Sequence, residues 1–171
     1  MNVLQKISAL FLFITITCCA QKTTFSEDVV SYIANNGTEK QYNYAYDELL
    51  KMLENQFPET EANAEGWKYM NANKDKHVSE MIALLAPVYE KNFTHEEIKS
   101  MNAFYLTDAG KQLVADGSKL SESQKQQVNE FYASATGKKI MEKQPILAAE
   151  IGKVSEGWSR DLYETALSML K

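Results

Sequence analysis

The sequence predicts an all-helical domain, and three observations carry that expectation. No stretch beyond the first twenty residues alternates apolar and polar side chains over the length of a strand. Apolar residues recur instead at spacings of three and four, the period of a helix that buries one face. Finally, a ten-residue phrase occurs twice. Phe104-Tyr105-Leu106-Thr107-Asp108-Ala109-Gly110-Lys111-Gln112-Leu113 returns 27 residues on as Phe131-Tyr132-Ala133-Ser134-Ala135-Thr136-Gly137-Lys138-Lys139-Ile140. The flanks repeat as well, with Thr94 matching Ser121 and Asn102 matching Asn129. The repeat predicts two similar helix-turn-helix units and specifies no chemistry.

The chain opens on what reads as a targeting segment. Lys6 supplies a positive charge, and Ile7 to Ile16 is an apolar run too short to span a bilayer. Cys18-Cys19-Ala20 then offers a small-residue cleavage site before Gln21. Lipidation of Cys18 or Cys19 is the alternative, although Thr17 or Cys18 stands where a lipoprotein site usually has a small residue. A core helix fits least, because Ile7 to Ile16 has no amphipathic period. Cleavage after Ala20 leaves residues 21–171 as one domain, with N-terminal helices over 26–93 and the repeats with a C-terminal helix over 94–171. That mature chain has no cysteine, which removes disulfides, thiol nucleophiles and thiolate metal sites. A core must hold it together, and about 150 residues suffice for one. The formal charge of −5, with no basic run, argues against nucleic acid and against an anionic membrane surface as partners.

Each helix can be justified in turn. Ser26 reads as an N-cap, with Val29, Val30 and Ile33 on one face and Asn36-Gly37 as a stop. Thr38 reads as the next cap. Its helix carries a stripe of Tyr42, Ala45, Tyr46, Leu49, Met52 and Leu53, and Phe57-Pro58 ends it. A longer helix is expected from about Glu61, burying Trp67, Met70, Val78, Met81, Ile82, Leu85, Val88 and Tyr89. Pro87 should kink it or stop it near Ala86.

The repeats follow. Thr94-x-x-Glu97 and Ser121-x-x-Gln124 are capping boxes, each starting a short helix that ends at a Phe-Tyr pair. Thr107 and Ser134 read as second N-caps, so each unit is helix, corner, helix. Gly110 and Gly137 in the next turn cost about 1 kcal/mol relative to Ala. Their recurrence predicts a packing reason, the approach of the preceding helix's aromatic ring to the backbone. The last helix carries Leu147, Ile151, Val154, Trp158, Leu162, Ala166 and Met169 at helical spacing. Pro145 should begin or kink it, and Gly152 and Gly157 would mark close contacts. Asp116 to Ser121 is a linker between the repeats.

Thr94-x-Glu96-Glu97-Ile98 with Phe104-Tyr105-x-Thr107-x-x-Gly110-Lys111 resembles the bacterial envelope family known as domain of unknown function 2059. The second copy, Phe131-Tyr132-x-Ser134-x-x-Gly137-Lys138 followed by Pro145, resembles it equally, and the likeness runs from about Met81 to Trp158. Asp108 and Ala135 stand where the family usually has Pro, a first-turn helix preference. The resemblance implies an exported helical protein, usually of Gram-negative bacteria, and carries over no catalytic residue.

Chemistry is thinly represented. His77-x-x-Glu80 places two ligand types on one face, but no local set completes a metal site. His95 is followed by no second histidine in zinc-protease spacing. Both are expected to be solvated helix histidines. No Gly-x-Ser-x-Gly elbow occurs, and Glu96-Glu97 reads as first-turn charge complementing the helix dipole. No enzyme, cofactor or metal is expected. Ser134, Gly137, Lys138 and Lys139 form one candidate anion or partner contact, with a hydroxyl, a bare glycine and two cations at a helix N-terminus. In the first copy Asp108 already neutralises that end. Phe104, Tyr105, Phe131, Tyr132 and Trp158 form a candidate aromatic patch or pocket, with Tyr89 and Trp67 as further rings. Adjacent residues point about 100° apart on a helix, so one ring of each Phe-Tyr pair should be partly exposed. The expected role is a non-enzymatic exported module that binds an envelope protein. The alternative is a carrier of a small apolar, amphipathic or lipid-like ligand, which needs an internal apolar cavity. Membrane attachment would follow only from a lipid on Cys18 or Cys19.

Overall fold

A computed structural model describes residues 23–171. The targeting segment, with Cys18 and Cys19, lies outside the described residues. Among those residues every regular element is helical: α1 (Phe25–Asn35), α2 (Thr38–Gln56), α3 (Ala64–Ala72), α4 (Lys74–Asn92), α5 (His95–Tyr105), α6 (Asp108–Asp116), α7 (Glu122–Ala133) and α8 (Ala135–Leu170). A 3-10 turn, Gly117–Lys119, joins α6 to α7. The all-α expectation holds.

Local chemistry explains most helix starts. Both predicted capping boxes form: Thr94 and Ser121 accept from the backbone of Glu97 and Gln124, whose side chains reach back. α1 has a third box, and here the expected cap was wrong. Thr24, not Ser26, caps it, because Glu27 stands three residues later while Ser26 is followed there by Val29. Thr38 is likewise inside α2. Gly37 is the cap, in a left-handed conformation at φ 90°, and the Thr38 N–H donates to Asn36 Oδ1 at 2.9 Å.

The long helix expected from Glu61 is two helices broken at Asn73. The amides of Asn71 and Asn73 donate to the carbonyls of Trp67 and Tyr69, side-chain bonds that compete with the backbone ladder at this break. Pro87 does not end α4, which continues to Asn92. Its ring faces solvent, where the freed carbonyl of Ala83 lies on the wet side. Pro145 neither begins nor ends a helix either. It too is exposed, inside a 36-residue α8 that fuses the second repeat's last helix with the C-terminal one.

α4 is the hub. It packs on α1, α2 and α8, while α1 also lies along α5. Val29, Ile33, Tyr46, Leu53, Met70, Met81, Leu85, Ile98 and Met101 are fully enclosed between these helices. The predicted stripes are buried or half-buried with three exceptions: Val30, Ala45 and Met52 face solvent at the edges of their helices.

The paired glycines have a packing role, though not the one expected. A Cβ on Gly110 would lie 2.5 Å from Tyr105 Cα and collide with the Phe104 carbonyl oxygen. On Gly137 it would meet Tyr132 Cα at 2.5 Å and the Phe131 carbonyl. Backbone, not an aromatic ring, occupies the space. A Cβ on Gly152 or Gly157 would meet nothing within 4 Å among the described residues, so they mark no close contact there. The glycine at a helix crossing is Gly66, which lets α3 meet the backbone of α8 at Met169.

Candidate functional site

The two corners are built alike. Thr107 Oγ1 accepts from the Gly110 N–H at 3.1 Å and donates to the Phe104 carbonyl at 2.6 Å. Ser134 Oγ repeats both bonds, with Gly137 at 3.1 Å and the Phe131 carbonyl at 2.6 Å. Each hydroxyl closes one helix and opens the next.

The corners bring the two pairs together. Phe104 and Phe131 stack with ring centroids 4.0 Å apart and planes 3° from parallel. Beside them the hydroxyls of Tyr105 and Tyr132 are 3.4 Å apart. Tyr32 of α1 extends the cluster, 5.8 Å from the Tyr105 ring and 5.4 Å from Tyr89. Phe104 is buried, while Phe131 and both repeat tyrosines are half-buried. Burial, then the hydrogen bond it shares with Tyr132, holds the Tyr105 phenol well above its ordinary range. Burial also raises Tyr32 and Tyr89. These hydroxyls therefore keep their protons throughout the physiological range.

Trp158 does not join this cluster. It packs edge-on to Tyr42 at 5.6 Å and donates from Nε1 to the His77 carbonyl at 3.1 Å, a structural role between α8 and α4.

The tyrosine pair opens into a cleft of about 610 Å³. Lys40, Gln41 and Tyr44 of α2 form one wall, and Leu113 and Val114 of α6 the other. The left-handed Gly37 brings these walls together, since a Cβ there would stand 2.9 Å from Val114 Cγ1. Tyr44 is 65% exposed, an aromatic ring on the solvent side of α2. Sequence reasoning missed Tyr32, Lys40 and Tyr44. Tyr44 carried a signal nonetheless, as an aromatic off the apolar stripe of an amphipathic helix.

The candidate anion corner is largely committed elsewhere. Ser134 is spent on its two backbone bonds and Gly137 is buried under the Phe131-Tyr132 backbone. Lys139 turns away to Glu97 Oε2 at 2.6 Å, with its ammonium 5.7 Å from the centre of the Phe93 ring. Of the two lysines only Lys138 is exposed.

Neither histidine is solvated as expected. His95 is partly buried against Phe25 and bonds Asp28 Oδ2 at 2.6 Å. His77 is buried beside Tyr46 and Tyr69, with Nδ1 3.2 Å from Glu80 Oε2. It borders a second cleft of about 510 Å³ with Glu80, Leu84, Trp158, Asp161 and Thr165. The Thr165 hydroxyl donates to the Asp161 carbonyl, and His77 Nε2 is buried with no hydrogen-bond partner among the described residues. Among the described residues no group of three or more His, Asp and Glu is placed to hold a metal, and no helix is long and apolar enough to cross a membrane.

A family model described as "Uncharacterized protein conserved in bacteria (DUF2059)" matches residues 79–123 and again 117–164. Each match holds one copy of the repeated phrase, and together they span half of the 171 residues. No curated protein and no solved structure matches the chain.

Proposed function

We propose that this chain, which belongs to the DUF2059 family of bacterial proteins, is a non-enzymatic helical module that binds a partner polypeptide in the cell envelope. One observation carries the reading. The two halves of the repeat converge on a single cleft, floored by Tyr105 and Tyr132 and flanked by the exposed ring of Tyr44. Partly exposed aromatics beside a packed core are the composition of a protein-binding surface. Export rests on the N-terminal sequence: a lysine, an apolar run and a small-residue site.

The carrier alternative needs an enclosed apolar cavity, whereas this cleft is an open groove with polar groups on its walls. A photo-crosslinking residue at Tyr44, compared in the producing cells with one at Leu84 beside the other cleft, tests the reading. Crosslinking to one discrete polypeptide from Tyr44 and not from Leu84 is expected. No crosslink, together with a co-purifying lipid or metabolite of fixed mass, would favour the carrier instead.

A further inference from the structure

The cleft runs counter to the net charge of the protein. The protein carries a formal charge of −5, yet no carboxylate among the described residues lines this cleft. Its one lining cation, Lys40, is exposed and has no ion-pair partner within 4.0 Å among the described residues, unlike Lys51, Lys74, Lys91, Lys99 and Lys139. The floor adds a donor. Tyr105 and Tyr132 have two hydroxyl hydrogens and one hydrogen bond between them, so one O–H has no protein acceptor among the described residues. Leu113, Val114 and the face of Tyr44 supply apolar contact beside these groups.

We propose that the cleft takes an acidic segment of the partner polypeptide, with a carboxylate at Lys40 and the Tyr105–Tyr132 hydroxyl pair and an apolar neighbour against Tyr44. This rests on the partner-binding reading above and narrows it to a chemistry. Charge complementarity selects the occupant. A carboxylate accepts from an ammonium and a phenol together, and such charge-assisted bonds are stronger than neutral ones. The second cleft does not share this character, because Glu80 and Asp161 line it. The Ser134 corner does not either, because its hydroxyl and Lys139 are already bonded.

Selection from a display library of random short peptides tests the proposal, with the wild-type chain and the Lys40→Glu, Tyr132→Phe and Lys125→Glu variants as baits. Lys125, on the outer face of α7, controls for net charge. Circular dichroism of each bait establishes that it folds. Peptides recovered by the wild type should be enriched in Asp and Glu next to an apolar residue. A synthesised winner should lose roughly tenfold or more in affinity to Lys40→Glu, a smaller factor to Tyr132→Phe, and little to Lys125→Glu. Recovery of no acidic consensus, or equal loss with Lys125→Glu, overturns the proposal. So does equal retention of anionic phospholipid vesicles by wild type and Lys40→Glu together with failure to enrich peptides. If the Tyr44 crosslink still captures a polypeptide while the acidic preference fails, only this inference falls. If that crosslink fails as well, the functional reading falls with it.

Discussion

Phe104 and Phe131 hold the same place in the two copies of the repeated phrase, and their rings lie face to face, 4.0 Å apart. The stack joins residues of α5 and α7, helices tied mainly through the corners that follow them. Phe104→Ala should cost about 3 to 5 kcal/mol, as for a buried phenylalanine. Phe131→Ala should cost roughly half as much, because that ring is half-exposed. Urea denaturation of both single variants and the double variant should give a coupling energy of about 0.5 to 1.5 kcal/mol.

The glycines separate into two classes with opposite signs. Alanine in a helix is favoured over glycine by about 1 kcal/mol, so Gly152→Ala and Gly157→Ala, which meet open space, should raise the melting temperature. Gly110→Ala and Gly137→Ala drive a methyl into backbone that cannot step aside. Each should lower stability by about 1 to 3 kcal/mol or more despite the helix preference. Thermal melts of the four variants distinguish the classes directly.

Acid should unfold the protein partly through Glu97 and Asp28. Burial pushes the Glu97 carboxyl up, but its bonds from Lys139 and the Thr94 backbone outweigh this and lower it below its usual 4.5. Asp28 is likewise held below 3.8, burial being outweighed by bonds from His95 and Thr23. Both groups gain protons more readily in the unfolded chain. Their stabilisation is therefore complete above the unfolded values and is lost as pH falls through 4.5 and 3.8 towards the folded ones. Denaturation of Glu97→Gln and Asp28→Asn across that range should show a flatter dependence than wild type.

His77 is a buried ring with one nitrogen unpaired among the described residues. Nδ1 donates to the Glu80 carboxylate, while Nε2 is buried with no hydrogen-bond partner among the described residues. An unsatisfied buried polar atom costs about 1 to 3 kcal/mol. His77→Phe keeps a ring against Tyr46 and Tyr69 and returns Glu80 to water. Chemical denaturation should find it as stable as wild type, or up to about 1 kcal/mol more so. A loss above about 2 kcal/mol would mean that Nε2 has a partner in solution.

The sequence by itself determined what lies within one helical turn. Capping boxes at Thr94 and Ser121, the second caps at Thr107 and Ser134, and the apolar stripes of α4 and α8 are relations between residues three or four apart. Such relations are legible because a helix closes its hydrogen bonds over that range. The errors at Ser26 and Thr38 are of the same kind, each a competition between neighbouring caps. Tertiary structure decided what the repeat could not. In the first copy Asn102 donates to Ser31 and accepts from Asn35, because α1 lies along α5. Its counterpart Asn129 faces an open groove on α7, where no residue is buried. Two similar segments thus meet different surroundings. The burial of His77, the removal of Trp158 from the aromatic cluster and the cleft over Tyr105 and Tyr132 arise in the same way. Each depends on which helices come together across many tens of residues, and a periodic pattern names the face a helix buries without naming the partner it buries it against.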